Sequence, residues 1–167
     1  MVHTFAQLGM VPYKRVIRFN KSGAITPLGP GITITLVRAE HSSDVVNKVL
    51  KTKKSAVHPG GQPSRYIIRL EDGYTIYHAG DTGVLGDMKF IGEYYKPELA
   101  LLPIGGHFTT DPAHAVKNLL KVKHVVPIHY GTFRPLKGRP AHLVKALGGY
   151  PAKMSALNPG DKMKIGK

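Results

Sequence analysis

The sequence predicts an α+β chain in which helices cover a mixed sheet. Three observations lead there. "RYIIRL" and "YTIYHA" flank an "EDG" turn, the pattern of a β-hairpin. "ELALLPI" and "HVVPI" are short and almost wholly apolar, as strands buried on both faces are. Two further segments, "TDPAHAVKNLLKV" and "PAHLVKAL", carry helix signals.

Taken in order, residues 4–10 read as a short helix, and "KRVIRF" (14–19) alternates like a strand. "NKSGAITPLGPG" reads as turns, and the β-branched "ITITLVRA" (32–39) as a strand. Residues 45–65 are basic and end in "HPGGQPS", a surface loop. After the hairpin, "VLGDMKFIGEYY" (84–95) reads as a helix ended by Pro97, and "ELALLPI" (98–104) as a strand. The next helix has Thr110 or Asp111 to cap it and Pro112 at its first position, with Ala113, Val116, Leu119 and Leu120 on one face. The strand "HVVPI" (124–128) leads to a helix over 140–147 that stops at Gly148-Gly149, and "PGDKMKI" reads as a closing turn and strand.

The 167 residues suit one domain, 1–167, and a 42% hydrophobic, 20% charged composition is globular, not disordered. The absence of cysteine excludes disulfides, thiolate metal sites and cysteine nucleophiles. No apolar run is long enough to span a bilayer, and the N-terminus lacks a basic start followed by an apolar stretch. The expectation is a cytoplasmic protein with no membrane partner. A formal charge of +14 attracts anions, so a small anionic substrate and nucleic acid are both candidate partners. The charge is spread along the chain without interleaved aromatics, which disfavours dedicated nucleic-acid binding.

The candidate chemistry appears where the strands end. "ITITLVRAE" ends at His41, "YTIYHAG" at Asp81, "LALLPIGG" at His107 and "HVVPI" at His129. If these strands run the same way, the four side chains share one rim of a sheet, where loops commonly carry function. Two imidazoles and a carboxylate suit zinc, iron or manganese. Each residue also has a plainer reading: a histidine hydrogen-bonded at the surface, or an aspartate holding its own turn.

"HSS" (41–43), "IYHAGDTGVLGDMKFIGEYYKPELALLPIGGHFT" (76–109) and "PIHYGTF" (127–133) resemble the metal-dependent hydrolases of the metallo-β-lactamase superfamily, in the branch of the ascorbate-6-phosphate-lactonase-like enzymes. The resemblance runs from about residue 3 to 140. It implies an αβ/βα sandwich with one or two metals, zinc or manganese, at the sheet edges. It makes His41, Asp81 and His129 metal ligands, with Asp81 the bridging carboxylate. Asp81 would also hold a metal-activated water against a carbonyl or phosphoryl centre, and His107 would stabilise the oxyanion. Asp87 and Thr109 match positions near the site.

The family's His-x-His-x-Asp-His signature is absent: of the nine histidines, no two lie closer than the five positions between His124 and His129. The resemblance therefore implies a fold incomplete in its N-terminal half, beginning downstream of that motif. His41 and His129 would then belong to two half-sites, completed by a homo-oligomer or a complementing N-terminal fragment. Three functions follow: a hydrolase of an ester, lactone or phosphoester; a catalytically impaired, partner-binding remnant; and a basic nucleic-acid-binding or nuclease-type protein.

Overall fold

A seven-stranded mixed sheet is the frame of the computed structural model, which describes residues 12–46, 57–117 and 121–167. The described residues open with a 3-10 turn, Tyr13–Arg15, and the short strand β1 (Ala24–Ile25). β2 (Thr33–Arg38) follows, then the two-residue strands β3 (Val45–Val46) and β4 (Val57–His58), which among the described residues pair with each other in a separate two-stranded sheet. β5 (Ser64–Arg69) and β6 (Thr75–His78) form the expected hairpin. Its turn is closed by Gly73 N–H to the Leu70 carbonyl at 2.9 Å and by Tyr74 N–H to the Asp72 carboxylate at 2.8 Å. Helices α1 (Met88–Tyr95), α2 (Pro112–Lys117) and α3 (Pro140–Leu147) alternate with β7 (Leu99–Pro103), β8 (His124–Ile128) and β9 (Lys153–Met154).

The strand order is β1-β2-β5-β6-β7-β8-β9. β2 and β6 are both antiparallel to β5, so they run the same way, and β7, β8 and β9 continue parallel to β6. Parallel neighbours need crossovers, and the three helices supply them. All three pack on one face of the sheet. Met88 and Ile91 of α1, Ala115 of α2, and Leu143 and Leu147 of α3 meet Tyr77, Ala100, Leu102 and Val125 there. The opposite face presents Ile76, Leu99 and Val126, against which Leu157 and Met163 of the C-terminal segment pack. Strands with a layer on both faces are apolar on both, which is why "LALLP" and, after His124, "VVPI" lack polar alternation.

Several expectations are corrected. "KRVIRF" forms no strand: it lies alongside no described strand, and Ile17 is 55% exposed, so its alternation has no sheet to serve. The helix at 84–95 starts only at Met88, because Asp87 spends its carboxylate on Arg65 instead of capping. On α2 the buried residue is Ala115, and Ala113 is exposed. Asp111 is the cap, its carboxylate accepting the His114 N–H at 2.9 Å. The last strand is Lys153–Met154, not "PGDKMKI". Residues 4–10, and Leu119 and Leu120, lie outside the described residues. No described helix is long and apolar enough to cross a membrane.

Candidate metal centre

Because β2, β6, β7 and β8 run the same way, their C-terminal ends lie along one rim, and the loops leaving it carry His41, Asp81, His107 and His129. The common direction anticipated from the sequence is therefore present. What the rim does with the four residues differs from one to the next.

Asp81 and His129 meet. His129 Nε2 stands 3.2 Å from Asp81 Oδ2, with the imidazole 28% and the carboxylate 49% exposed. Two donors that share one ion at 2.0–2.1 Å in near-tetrahedral geometry stand about 3.3 Å apart, so the pair has ligand spacing. The other ring nitrogen is also informative. Among the described residues, His129 Nδ1 is the buried side-chain polar atom with no hydrogen-bond partner. A proton on Nδ1 finds no acceptor and turns the Nε2 lone pair toward a carboxylate. A proton on Nε2 serves Asp81 and leaves the Nδ1 lone pair alone. Either way the ring is unsatisfied, and a cation between Nε2 and Oδ2 removes the repulsion of the first arrangement.

The backbone is strained at the same places. His107 and His129 take φ of 61° and 53°, in the left-handed region. For a residue with a Cβ that conformation costs about 1–3 kcal/mol and persists only where the surroundings impose it. The loops here are locked backbone to backbone. A Cβ on Gly105 would lie 2.4 Å from the His129 carbonyl, and one on Gly138 would lie 1.5 Å from the Ile104 carbonyl. On the next strand Gly80, at φ 57°, donates its N–H to His78 Nδ1 at 3.0 Å and turns Asp81 outward.

His41 does not join the pair. Its Nδ1 lies 2.7 Å from the neighbouring Ser42 carbonyl. Its loop is pinned to the segment 60–61, where a Cβ on Gly60 would strike the Ser43 carbonyl at 1.6 Å, so "HPGGQPS" is packed at Gly60 and not free. Among the described residues, no three His, Asp or Glu side chains gather into a group that could hold a metal. The donor set fits one edge of an ion, supplied by Asp81 and His129, and is short of a closed shell. His107 is exposed and its ring sits edge-on to Phe108, with centroids 4.3 Å apart. Thr109 is half-buried beside it.

Two supporting residues were not singled out from the sequence. Thr82 is fully buried and stitches three rim loops together. Its hydroxyl accepts the Glu40 N–H at 3.1 Å and donates to the Gly83 carbonyl at 2.9 Å, while its carbonyl accepts the Thr110 N–H at 3.0 Å. Arg65 is also fully buried and reaches Asp87 at 2.8 Å and the Tyr77 hydroxyl at 2.6 Å. Burial pushes the Tyr77 hydroxyl up to about 12. The signal for Arg65 was its place in "SRYIIR": an arginine on the same strand face as the core residue Ile67 must find partners inside.

The chain matches the family model described as a β-lactamase superfamily domain over residues 3–130. A UPF0173 metal-dependent hydrolase of a Polaromonas species is 51% identical over 99% of this chain and 61% of its own length. The corresponding protein of Cupriavidus necator is 50% identical over 93% of this chain and 56% of its own length. The chain thus spans a little over half the length of these relatives. The solved structure of Igni18, a metallo hydrolase from the archaeon Ignicoccus hospitalis, superposes with a TM-score of 0.75 at 36% identity, covering 95% of this chain and 64% of that one. With its mixed sheet, its helices and a rim that ends in histidine and aspartate, the chain belongs to the metallo-β-lactamase superfamily.

Proposed function

We propose that the Asp81–His129 rim is half of a hydrolytic metal centre, binding zinc or manganese and cleaving an ester or lactone bond, or secondarily a phosphoester, in a small anionic substrate. The observation that carries this reading is the 3.2 Å approach of Nε2 and Oδ2 with Nδ1 left unpartnered. The names of the relatives as metal-dependent hydrolases support it, as does the +14 charge for the substrate.

His129 Nε2 and Asp81 Oδ2 would hold the cation, and His41 would contribute to a second ligand set. A divalent cation supplies Lewis acidity, which makes water acidic enough to attack at neutral pH and stabilises developing negative charge. The second oxygen of Asp81 accepts a hydrogen bond from the attacking water and orients it. His107, exposed at the end of β7, donates to the oxygen that becomes the oxyanion. The lactonase-like branch is the preferred placement within the superfamily. The test is metal content together with turnover of lactone, ester and phosphodiester substrates. Metal bound by the chain but lost in Asp81→Ala and His129→Ala supports the reading. Absence of both metal and turnover in the presence of added zinc or manganese overturns it.

A second reading has its own observation. Among the described residues Asp81 and His129 form a pair and no group of three gathers, and the alternative we propose is that a second polypeptide completes the shell. Another copy of the chain, or an N-terminal segment supplied as a separate fragment, fits that role. Sedimentation with and without metal separates the two readings: assembly that is indifferent to chelator favours a partner-binding subunit over a hydrolase.

A further inference from the structure

Beside His107 the sheet rim opens into a cleft of about 630 Å³ between two loops. One wall is Gly105, Gly106 and His107; the other carries Arg134, Lys137 and His142. Gly105 and Gly106 bring no side chain into the space, and His107 adds its imidazole at the end of that wall. The cationic wall is fixed in place although its side chains are exposed. Leu136, between the two cations, is buried, and its carbonyl accepts the Gly131 N–H at 3.3 Å, closing the loop on itself. Gly138 N–H bonds the Gly105 carbonyl at 3.1 Å, and Phe108 stacks on Phe133 with centroids 5.9 Å apart, so the two loops are joined at both ends. The Arg134 and Lys137 side chains have no ion pair or hydrogen bond among the described residues. The acidic group on the cleft, Asp111, is already engaged, with one oxygen on the His114 N–H at 2.9 Å and the other 2.8 Å from His114 Nδ1.

Two unpaired cations on a braced loop, facing the Gly105-Gly106 backbone and the His107 ring across a concave space, form a receptor for an oxyanion. We infer that this cleft is the anion subsite of the substrate: Arg134 and Lys137 take a terminal phosphate or carboxylate while the scissile bond lies toward His107 and the Asp81–His129 pair. The assignment of that anion to a substrate rests on the hydrolase reading; the binding of an anion in the cleft does not.

The test separates the two. Inorganic phosphate and, separately, acetate are titrated into the isotope-labelled full chain while the amide signals of Gly105, Gly106 and Gly138 are followed. Saturable shifts are expected for at least one probe, and Arg134→Gln/Lys137→Gln should weaken them by more than about tenfold, since each of the two lost charge-assisted contacts is worth roughly that factor. Both side chains are exposed, so the remaining spectrum should be unchanged. Saturation by phosphate alone identifies a phosphoryl group, by acetate alone a carboxylate. With metal present, the double variant should raise KM for the mono-para-nitrophenyl ester of succinic acid by more than about tenfold, leaving kcat and the neutral para-nitrophenyl butyrate untouched. Titrations that saturate neither probe, or that saturate equally in wild type and double variant, overturn the subsite. Normal titrations with no hydrolysis of either ester overturn the hydrolase reading alone.

Discussion

Arg65 on β5 reaches past the core to hold Asp87 at 2.8 Å, immediately before α1. The same guanidinium donates to the Arg38 carbonyl at the end of β2 and to the Tyr77 hydroxyl. One buried cation thus ties the end of one rim strand to the start of the helix that follows the Asp81 loop. Removing the carboxylate leaves that charge without its counter-ion. Loss of one partner from a fully buried pair costs roughly 3–5 kcal/mol, and because Asp87 is partly exposed, water recovers some of it. Asp87→Ala is expected to lower the urea-unfolding free energy by about 2–3 kcal/mol. Arg65→Met leaves the Asp87 carboxylate to water but takes the donor from the Arg38 carbonyl and the buried Tyr77 hydroxyl, so a loss at least as large is expected.

Thr82→Val keeps the side-chain shape and deletes the hydroxyl. The Glu40 N–H then loses its acceptor, at a cost of about 1–3 kcal/mol. Amide exchange should speed up at Glu40 and Gly83, whose N–H bonds the Glu40 carbonyl at 2.8 Å, while core amides of β7 and β8 keep their protection. Equal protection in variant and wild type would remove Thr82 as the stitch between the His41 and Asp81 loops.

The contact between the loops of His107 and His129 leaves no room at Gly138. Gly138→Ala places a methyl 1.5 Å from the Ile104 carbonyl, so the loops must part, and a loss of about 3 kcal/mol or more is expected. Gly86→Ala, with nothing within 4 Å of its Cβ, is the control and should melt like wild type. Thermal melts of the two variants check both statements.

Zinc or manganese should raise the melting temperature if Asp81 and His129 hold it. The gain approaches about 2.7 kcal/mol once free metal exceeds Kd a hundredfold. EDTA should reverse it, and Asp81→Asn should abolish it. A metal-induced shift of equal size in Asp81→Asn would place the binding elsewhere.

His124 supplies a pH dependence on the far side of the sheet. Burial, with Lys153 as the lesser cause, holds its imidazole below its ordinary 6.5, and Nε2 lies 2.9 Å from the Ser155 hydroxyl. Below that value the unfolded chain takes up the proton more readily than the folded one. The contribution of His124 is therefore fully present above about pH 6.5 and is lost as the pH falls toward the lower folded value. His124→Gln should flatten the stability profile in that window, as followed by urea midpoints at successive pH values.

Much of this was legible in local sequence. The hairpin announced itself by its Asp-Gly turn, α3 by Pro140 and Gly148, and the buried strands by apolar runs without polar alternation, because each signal is written within ten residues. "KRVIRF" failed for the opposite reason. Alternation shows that a segment has two faces, but a strand also needs a neighbour, and that neighbour is chosen by the rest of the chain. The Asp87–Arg65 pair moved the start of α1 in the same way, with a partner 22 residues upstream that outcompeted the local cap.

The sequence by itself determined which side chains stand at the strand ends, the chemistry they are capable of, the positive field around them and the family to which the pattern is similar. Tertiary structure decided which of them meet. Asp81 and His129 are brought together across β7 because β6, β7 and β8 lie parallel and in order, whereas His41 leaves the same rim from β2, with β5 in between, and turns to its own backbone. Strand period and caps follow from neighbours along the chain. Strand order and direction follow from how the whole apolar surface is buried, and the spacing of two donors to a few tenths of an ångström is a consequence of that packing.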